Sequence, residues 1–135
     1  MNNRLGAVNH IGIAVQNIEE AKKLFSDALG LPCVDEKTVP ARGVKIAFLS
    51  TGNTTVELLE GIGPESAVSK FVEQRGPGIH HLCFEVDGIE RVMEELAASG
   101  MRLIDEKPRV GAEGKLVAFV HPKSTLGVLI ELIEK

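Results

Sequence analysis

The chain has little sulfur: two cysteines among 135 residues, Cys33 and Cys83, without CxxC spacing. That excludes a disulfide framework and a zinc ribbon, and both thiols are read as small buried hydrophobes in a reducing compartment. No apolar run approaches the roughly 18 residues that a membrane span needs. The opening residues do not read as a charged-then-apolar leader either, since the first strand-like run begins near Leu5. A cytoplasmic protein is therefore expected. Positive charge is not in surplus, and a net charge of −4 argues against nucleic acid or an anionic membrane as the main partner. An anionic small molecule stays open, because a local basic patch is compatible with that balance. No glycine motif that cradles phosphate is present.

What is there looks globular. Apolar residues make up 44% and charged residues 25%, which suits one compact unit or two small halves sharing an interior. The chain also repeats itself, in order. His10-Ile11-Gly12-Ile13-Ala14-Val15 returns as His81-Leu82-Cys83-Phe84-Glu85-Val86, an offset of 71, and Ile18-Glu19 returns as Ile89-Glu90. Gly30 and Asp35-Glu36-Lys37 match Gly100 and Asp105-Glu106-Lys107 at an offset of 70. Ala47-Phe48-Leu49 answers Ala118-Phe119-Val120 at 71, and Val56-Glu57-Leu58-Leu59-Glu60 answers Ile130-Glu131-Leu132-Ile133-Glu134 at 74.

Each half reads as βαβββ. Apolar alternation predicts a strand over 7–15, and the stripe Ile18, Ala21, Lys22, Phe25, Leu29 predicts a helix over 18–29, closed by Gly30. Strands follow at 33–39, 44–50 and 54–60. The second half predicts a strand at 80–86, a helix at 89–99 closed by Gly100, and strands near 102–106, 115–121 and 127–133. Residues 61–79 form a Gly-Pro-punctuated linker with a short helix from about Glu65 to Arg75. The expected architecture is α+β: one domain over 1–135, with modules at 5–60 and 80–135. A half of this size buries too little surface alone, so the two are expected to form an incomplete barrel around a cleft.

Four polar residues occupy equivalent places in the two halves. His10 and His81 lie in the first strands; Glu57 and Glu131 alternate with apolar neighbours in the last. A lone strand histidine is more often a hydrogen-bonded core residue, and a lone strand glutamate usually sits at a rim. Two equivalent pairs in a duplicated unit reverse that reading. A buried carboxylate is costly unless neutralised, and a divalent cation suits two imidazoles and two carboxylates. His80 should point to the opposite face from His81. His121, followed by Pro122, is a substrate-edge or structural residue. Lys123, Lys115 and Arg75 read as solvated charges.

These residues resemble the vicinal oxygen chelate superfamily, and within it the methylmalonyl-CoA epimerases. The resemblance covers essentially the whole chain and is carried by Asn9 to Val15, Gly52-Asn53-Thr54, Glu57-Leu58-Leu59, Gly78 to Val86, Gly111 to Lys115, His121-Pro122-Lys123 and Gly127 to Leu132. The His80-His81 doublet, His-Pro-Lys and Gly-Val-Leu-Ile-Glu are its most specific parts. It implies one divalent metal (Co²⁺ by family, with Mn²⁺, Ni²⁺ or Zn²⁺ compatible) held by His10, Glu57, His81 and Glu131. It also implies an acyl-CoA substrate and a homodimer. Relatives often carry Gln at the position of Glu57. Some carry a catalytic glutamate where this chain has Ile46, beside Lys45, so the resemblance supplies only one catalytic carboxylate, Glu131. The implied reaction removes and returns the C2 proton of methylmalonyl-CoA, interconverting its (R) and (S) forms. Two rival readings share the fold: a glyoxalase I-type lyase, which the His-His and His-Pro-Lys segments disfavour, and a metal-free binding protein, which would lack the complete quartet.

Overall fold

The computed structural model describes residues 4–135, which divide into two compact units: residues 10–80, and residues 81–135 with the segment up to Asn9. Each unit carries a four-stranded mixed sheet with a helix between its first two strands.

In the first unit the strands are β1 (Val8–Val15, whose first two residues belong to the other unit), β2 (Cys33–Val39), β3 (Val44–Ser50) and β4 (Thr55–Gly61), in sheet order β2-β3-β4-β1. β1 runs parallel to β4, and the other pairs are antiparallel. Side chains alternate between faces, so one face gathers Ile13, Val15, Ala47, Leu49, Val56 and Leu58 beneath the helix. That helix, α1 (Ile18–Lys22), starts on Asn17, whose side chain accepts from the Glu20 N–H. It continues as a π-helical stretch, Lys23–Ala28, where a single regular helix over 18–29 was expected. The wider turns carry Phe25 against the core while Leu29, expected on the buried stripe, is 69% exposed. Gly30 closes the segment at φ 84, as predicted.

The linker helix α2 (Ala67–Arg75) begins on Ser66, whose hydroxyl accepts from the Ser69 N–H, and packs on β4. Gly61 makes that packing feasible, because a Cβ there would fall 2.1 Å from the Ser69 Oγ.

The second unit holds β5 (Gly78–Val86, from His81 onward), β6 (Arg109–Val110), β7 (Leu116–Val120) and β8 (Ile130–Glu134), ordered β5-β8-β7-β6. β8 is parallel to β5 and antiparallel to β7. Helix α3 (Ile89–Ala98) presses Ile89, Val92 and Met93 onto Val86, Ala118, Val120 and Leu132. The strand expected at 102–106 is reduced to one bridge, Leu103 to Val120, and the ladder resumes at β6. Here the Phe119 N–H donates to the Asp105 side chain (2.8 Å) instead of to backbone, and Pro108 has no N–H to offer. The last strand starts at Ile130 and not 127, because a 3₁₀ turn at Pro122–Thr125 leads into Leu126 and Gly127, both at positive φ. Cys83 is buried as expected, whereas Cys33 is half-buried.

The last glutamate of each repeat does the same local job. Glu60 accepts from the Ile18 N–H (2.8 Å), and Glu134 accepts from the Gly88 and Ile89 N–H groups (2.8 and 2.9 Å). Each strand-borne carboxylate thereby satisfies orphan donors at the start of its unit's helix, where the helix dipole also favours negative charge. Donation from the Ile89 N–H, opposed by partial burial and reinforced by the Gly88 N–H, holds the Glu134 carboxyl below its ordinary 4.5. A depressed folded pKa gives stability that is complete above the unfolded value and is lost as the pH falls through the folded one. Glu134→Gln is accordingly expected to cost about 0.5–2 kcal/mol at neutral pH, the range for losing a cap. Urea midpoints of the two proteins should converge as the pH falls through the depressed folded pKa of Glu134. A gap that stays constant with pH would show that the charge contributes nothing.

Candidate functional site

Within residues 10–80, β1 and β4 present one polar pair on the sheet face opposite α1. Glu57 is in register with Gly12 on one side and Phe48 on the other, and His10 lies two residues before Gly12, on the same face. The His10 Nδ1 lies 3.1 Å from the Glu57 Oε2, and both residues are about 95% buried, at 5% and 6% exposure. Apolar Ile46 and Leu59 are buried on the same face.

Residues 81–135 repeat the arrangement. Glu131 is in register with Cys83 and Phe119, and His81 precedes Cys83 by two. The His81 Nε2 lies 3.1 Å from the Glu131 Oε1, again with both residues buried. The His81 ring meets Phe119 edge-on, with centroids 6.2 Å apart. Cys83, Val117 and Ile133 pack together on this face. The structure thus brings His10 to Glu57 and His81 to Glu131. Burying a carboxylate here, with an imidazole as its visible neighbour, is the chemistry of a metal ligand pair or of a hydrogen-bonded ion pair.

The remaining sequence candidates separate. His80, on the face opposite His81 as expected, packs edge-on against Phe71 (4.9 Å), a structural role. His121 accepts the Lys123 N–H through its Nδ1 (3.0 Å) and caps the turn that follows, which is the structural of its two readings. Arg75 is exposed, as expected of a solvated charge, and its guanidinium lies 5.4 Å from the centroid of the Phe71 ring. Lys45, the neighbour of Ile46, is in register with Glu60 and lies 3.9 Å from its carboxylate. That puts Lys45 on the α1 face of the sheet, away from Glu57, because alternate residues of a strand face opposite ways.

Two cations that the sequence reading passed over do share the site faces. The Lys37 Nζ stands 5.6 Å from the centroid of Phe48, and the Arg109 Cζ stands 5.7 Å from that of Phe119. In each unit the ring beneath the cation is the one opposite the buried glutamate. The sequence repeat aligned Lys37 with Lys107, yet Arg109 is its structural counterpart. The slip of two residues falls where the second unit lacks a regular strand.

The matching family model, glyoxalase/bleomycin resistance protein/dioxygenase superfamily, covers residues 9–119. The mitochondrial methylmalonyl-CoA epimerase of Dictyostelium discoideum is 39% identical over 132 residues, 97% of this chain and 80% of that protein. The ethylmalonyl-CoA/methylmalonyl-CoA epimerase of Cereibacter sphaeroides is 37% identical over 95% of this chain and 97% of its own length. The crystal structure of methylmalonyl-CoA epimerase from Mycobacterium tuberculosis superposes with a TM-score of 0.92 at 32% identity, covering 99% of this chain and 91% of that one. Likeness of this extent in sequence and fold, over a chain whose halves each bury one histidine–glutamate pair, places the protein within the glyoxalase/bleomycin resistance/dioxygenase superfamily, in the family of the methylmalonyl-CoA epimerases.

Proposed function

We propose that the chain is a methylmalonyl-CoA epimerase that interconverts the (R) and (S) thioesters by moving the C2 proton, with one divalent cation held by His10, Glu57, His81 and Glu131. The observation that carries the metal reading is the repeated histidine–glutamate pair. Two ligands about 2.1 Å from one ion and at right angles to each other are about 3 Å apart, and each unit holds its imidazole nitrogen and carboxylate oxygen at 3.1 Å. The donor set of two imidazoles and two carboxylates suits Co²⁺, Mn²⁺, Ni²⁺ or Zn²⁺. When bound, a divalent cation supplies Lewis-acid polarisation of the thioester carbonyl and so acidifies the neighbouring C–H.

The protein's own residues do the rest. Glu131 accepts the C2 proton as general base on one face of that carbon, and inversion follows when an acid on the opposite face delivers a proton there. Cys83 and Phe119 flank Glu131 in register, and the residue is 6% exposed. Glu57, flanked by Gly12 and Phe48, serves chiefly as a ligand. A cytoplasmic homodimer is the assembly expected of such an enzyme; no helix among the described residues is long and apolar enough to cross a membrane.

The deciding experiment is exchange at C2 of methylmalonyl-CoA in D₂O, followed by mass spectrometry before and after chelator treatment. Deuterium should enter with the untreated protein, cease after chelation and resume on adding Co²⁺. Absence of exchange under all three conditions would overturn the epimerase reading, and exchange indifferent to chelator would overturn the metal.

A further inference from the structure

The two cations on the site faces differ in one respect. The Arg109 Nε lies 3.3 Å from the Asp105 Oδ1, and the second oxygen of that carboxylate accepts the Phe119 N–H, so Arg109 is neutralised by a partner that is itself pinned to the strand. Lys37 forms no ion pair among the described residues. The nearest acid on its own strand and face, Asp35, spends its Oδ1 on the Glu36 N–H. Lys37 is in register with buried Ile46, two residues from Phe48 along β3. Phe48 in turn is opposite Glu57. Lys37, a half-buried residue, thus sets its ammonium over an aromatic ring that is only 6% exposed. A ring face holds a cation in place at this distance without neutralising it. Among apolar neighbours an uncompensated charge acts more strongly than it would in water.

Resting on the epimerase reading, the electrostatics call for such a charge. Glu57 and Glu131 together cancel the two charges of a divalent ion. A substrate that brings a carboxylate and phosphates, and gains negative charge on its thioester oxygen as the proton leaves, then meets no net positive charge from the quartet. We propose that Lys37 is a substrate-binding residue, whose ammonium receives an anionic oxygen group of the acyl-CoA, either the acyl carboxylate or a phosphate of the CoA moiety.

The test compares Lys37→Met, which keeps the stem over Phe48 and loses the charge, with Lys37→Arg, which keeps both. Calorimetry on metal-loaded protein gives affinities for methylmalonyl-CoA, propionyl-CoA and methylmalonyl-pantetheine. Lys37→Met should bind methylmalonyl-CoA about 10–100-fold more weakly, as expected for losing a charge-assisted hydrogen bond, and Lys37→Arg should restore most of that loss. Weakening confined to the two methylmalonyl thioesters identifies the carboxylate as the partner. Weakening confined to the two CoA esters identifies a phosphate. Equal affinities of the wild type and Lys37→Met for all three ligands, with unchanged circular dichroism, would overturn the proposal. A wild type that binds the esters without exchanging the C2 proton defeats the epimerase reading alone, since the binding contrast is measured without turnover.

Discussion

Glu131→Gln is expected to lower C2 proton exchange by about 10²–10⁴-fold, the usual effect of losing a positioned general base. Glutamine has the shape and one ligating oxygen of glutamate but cannot take up a proton from carbon. Glu131 is 6% exposed and sits between Cys83 and Phe119, so the nearly isosteric amide should leave fold and packing intact. Metal content should be largely retained. Glu57→Gln is the internal control: the same change at the same strand position of the other unit, on a residue assigned only ligation, should be far milder. Rates are to be compared at saturating metal, so that ligation and proton transfer are separated. Equal damage from both substitutions would make the two glutamates the acid and the base that act on C2. Full activity in both would move the proton chemistry off the carboxylates. Lys45 is then a poor substitute, because it lies on the α1 face beside Glu60.

Removing an imidazole should have the second large effect. The purified protein is expected to hold one divalent ion per chain, and His81→Ala should weaken metal binding by at least about 100-fold, more than loss of a supporting outer-shell contact causes. The same change takes away the neighbour 3.1 Å from Glu131 and leaves that carboxylate buried against Phe119 and Cys83. A further loss of about 1.5–3 kcal/mol in stability is expected from removing one hydrogen bond to a buried charged group. Elemental analysis after gel filtration measures the first effect and urea unfolding the second. If a variant carrying both His10→Ala and His81→Ala kept stoichiometric metal, the quartet would not be the site.

Much of this was legible beforehand, because it depends on period. Strand alternation alone puts His10 with Gly12 and Glu57 with Leu59 on one face, and the duplication pairs each with its counterpart. The contacts at 3.1 Å within each unit join residues that were singled out together. Helix bounds and the glycine stops at Gly30 and Gly100 follow from equally local rules.

Where the reading went astray, the deciding partner was distant in the chain. The expected strand at 102–106 gives way because the Asp105 side chain captures the Phe119 N–H, a bond across 14 residues that no local propensity encodes. The repeat then mispairs Lys37 with Lys107, since sequence offset cannot register a strand that has lost its ladder. Leu29 belongs to a regular helical stripe on paper, and the π turns of Lys23–Ala28 take it to the surface.

The repeated block that ends at Glu60 and Glu134 shows the division most clearly. By itself the sequence determined the duplication, the βαβββ order and the strand faces on which His10, Glu57, His81 and Glu131 stand, because those depend on spacing along the chain. Only the tertiary structure decided that the last glutamate of each block closes a helix start 42 or 45 residues away. It alone decided, too, which cations stand over Phe48 and Phe119. Those outcomes turn on which donors and rings the folded backbone brings within about 3–6 Å of a charge, and separation in space is not a property of separation in sequence.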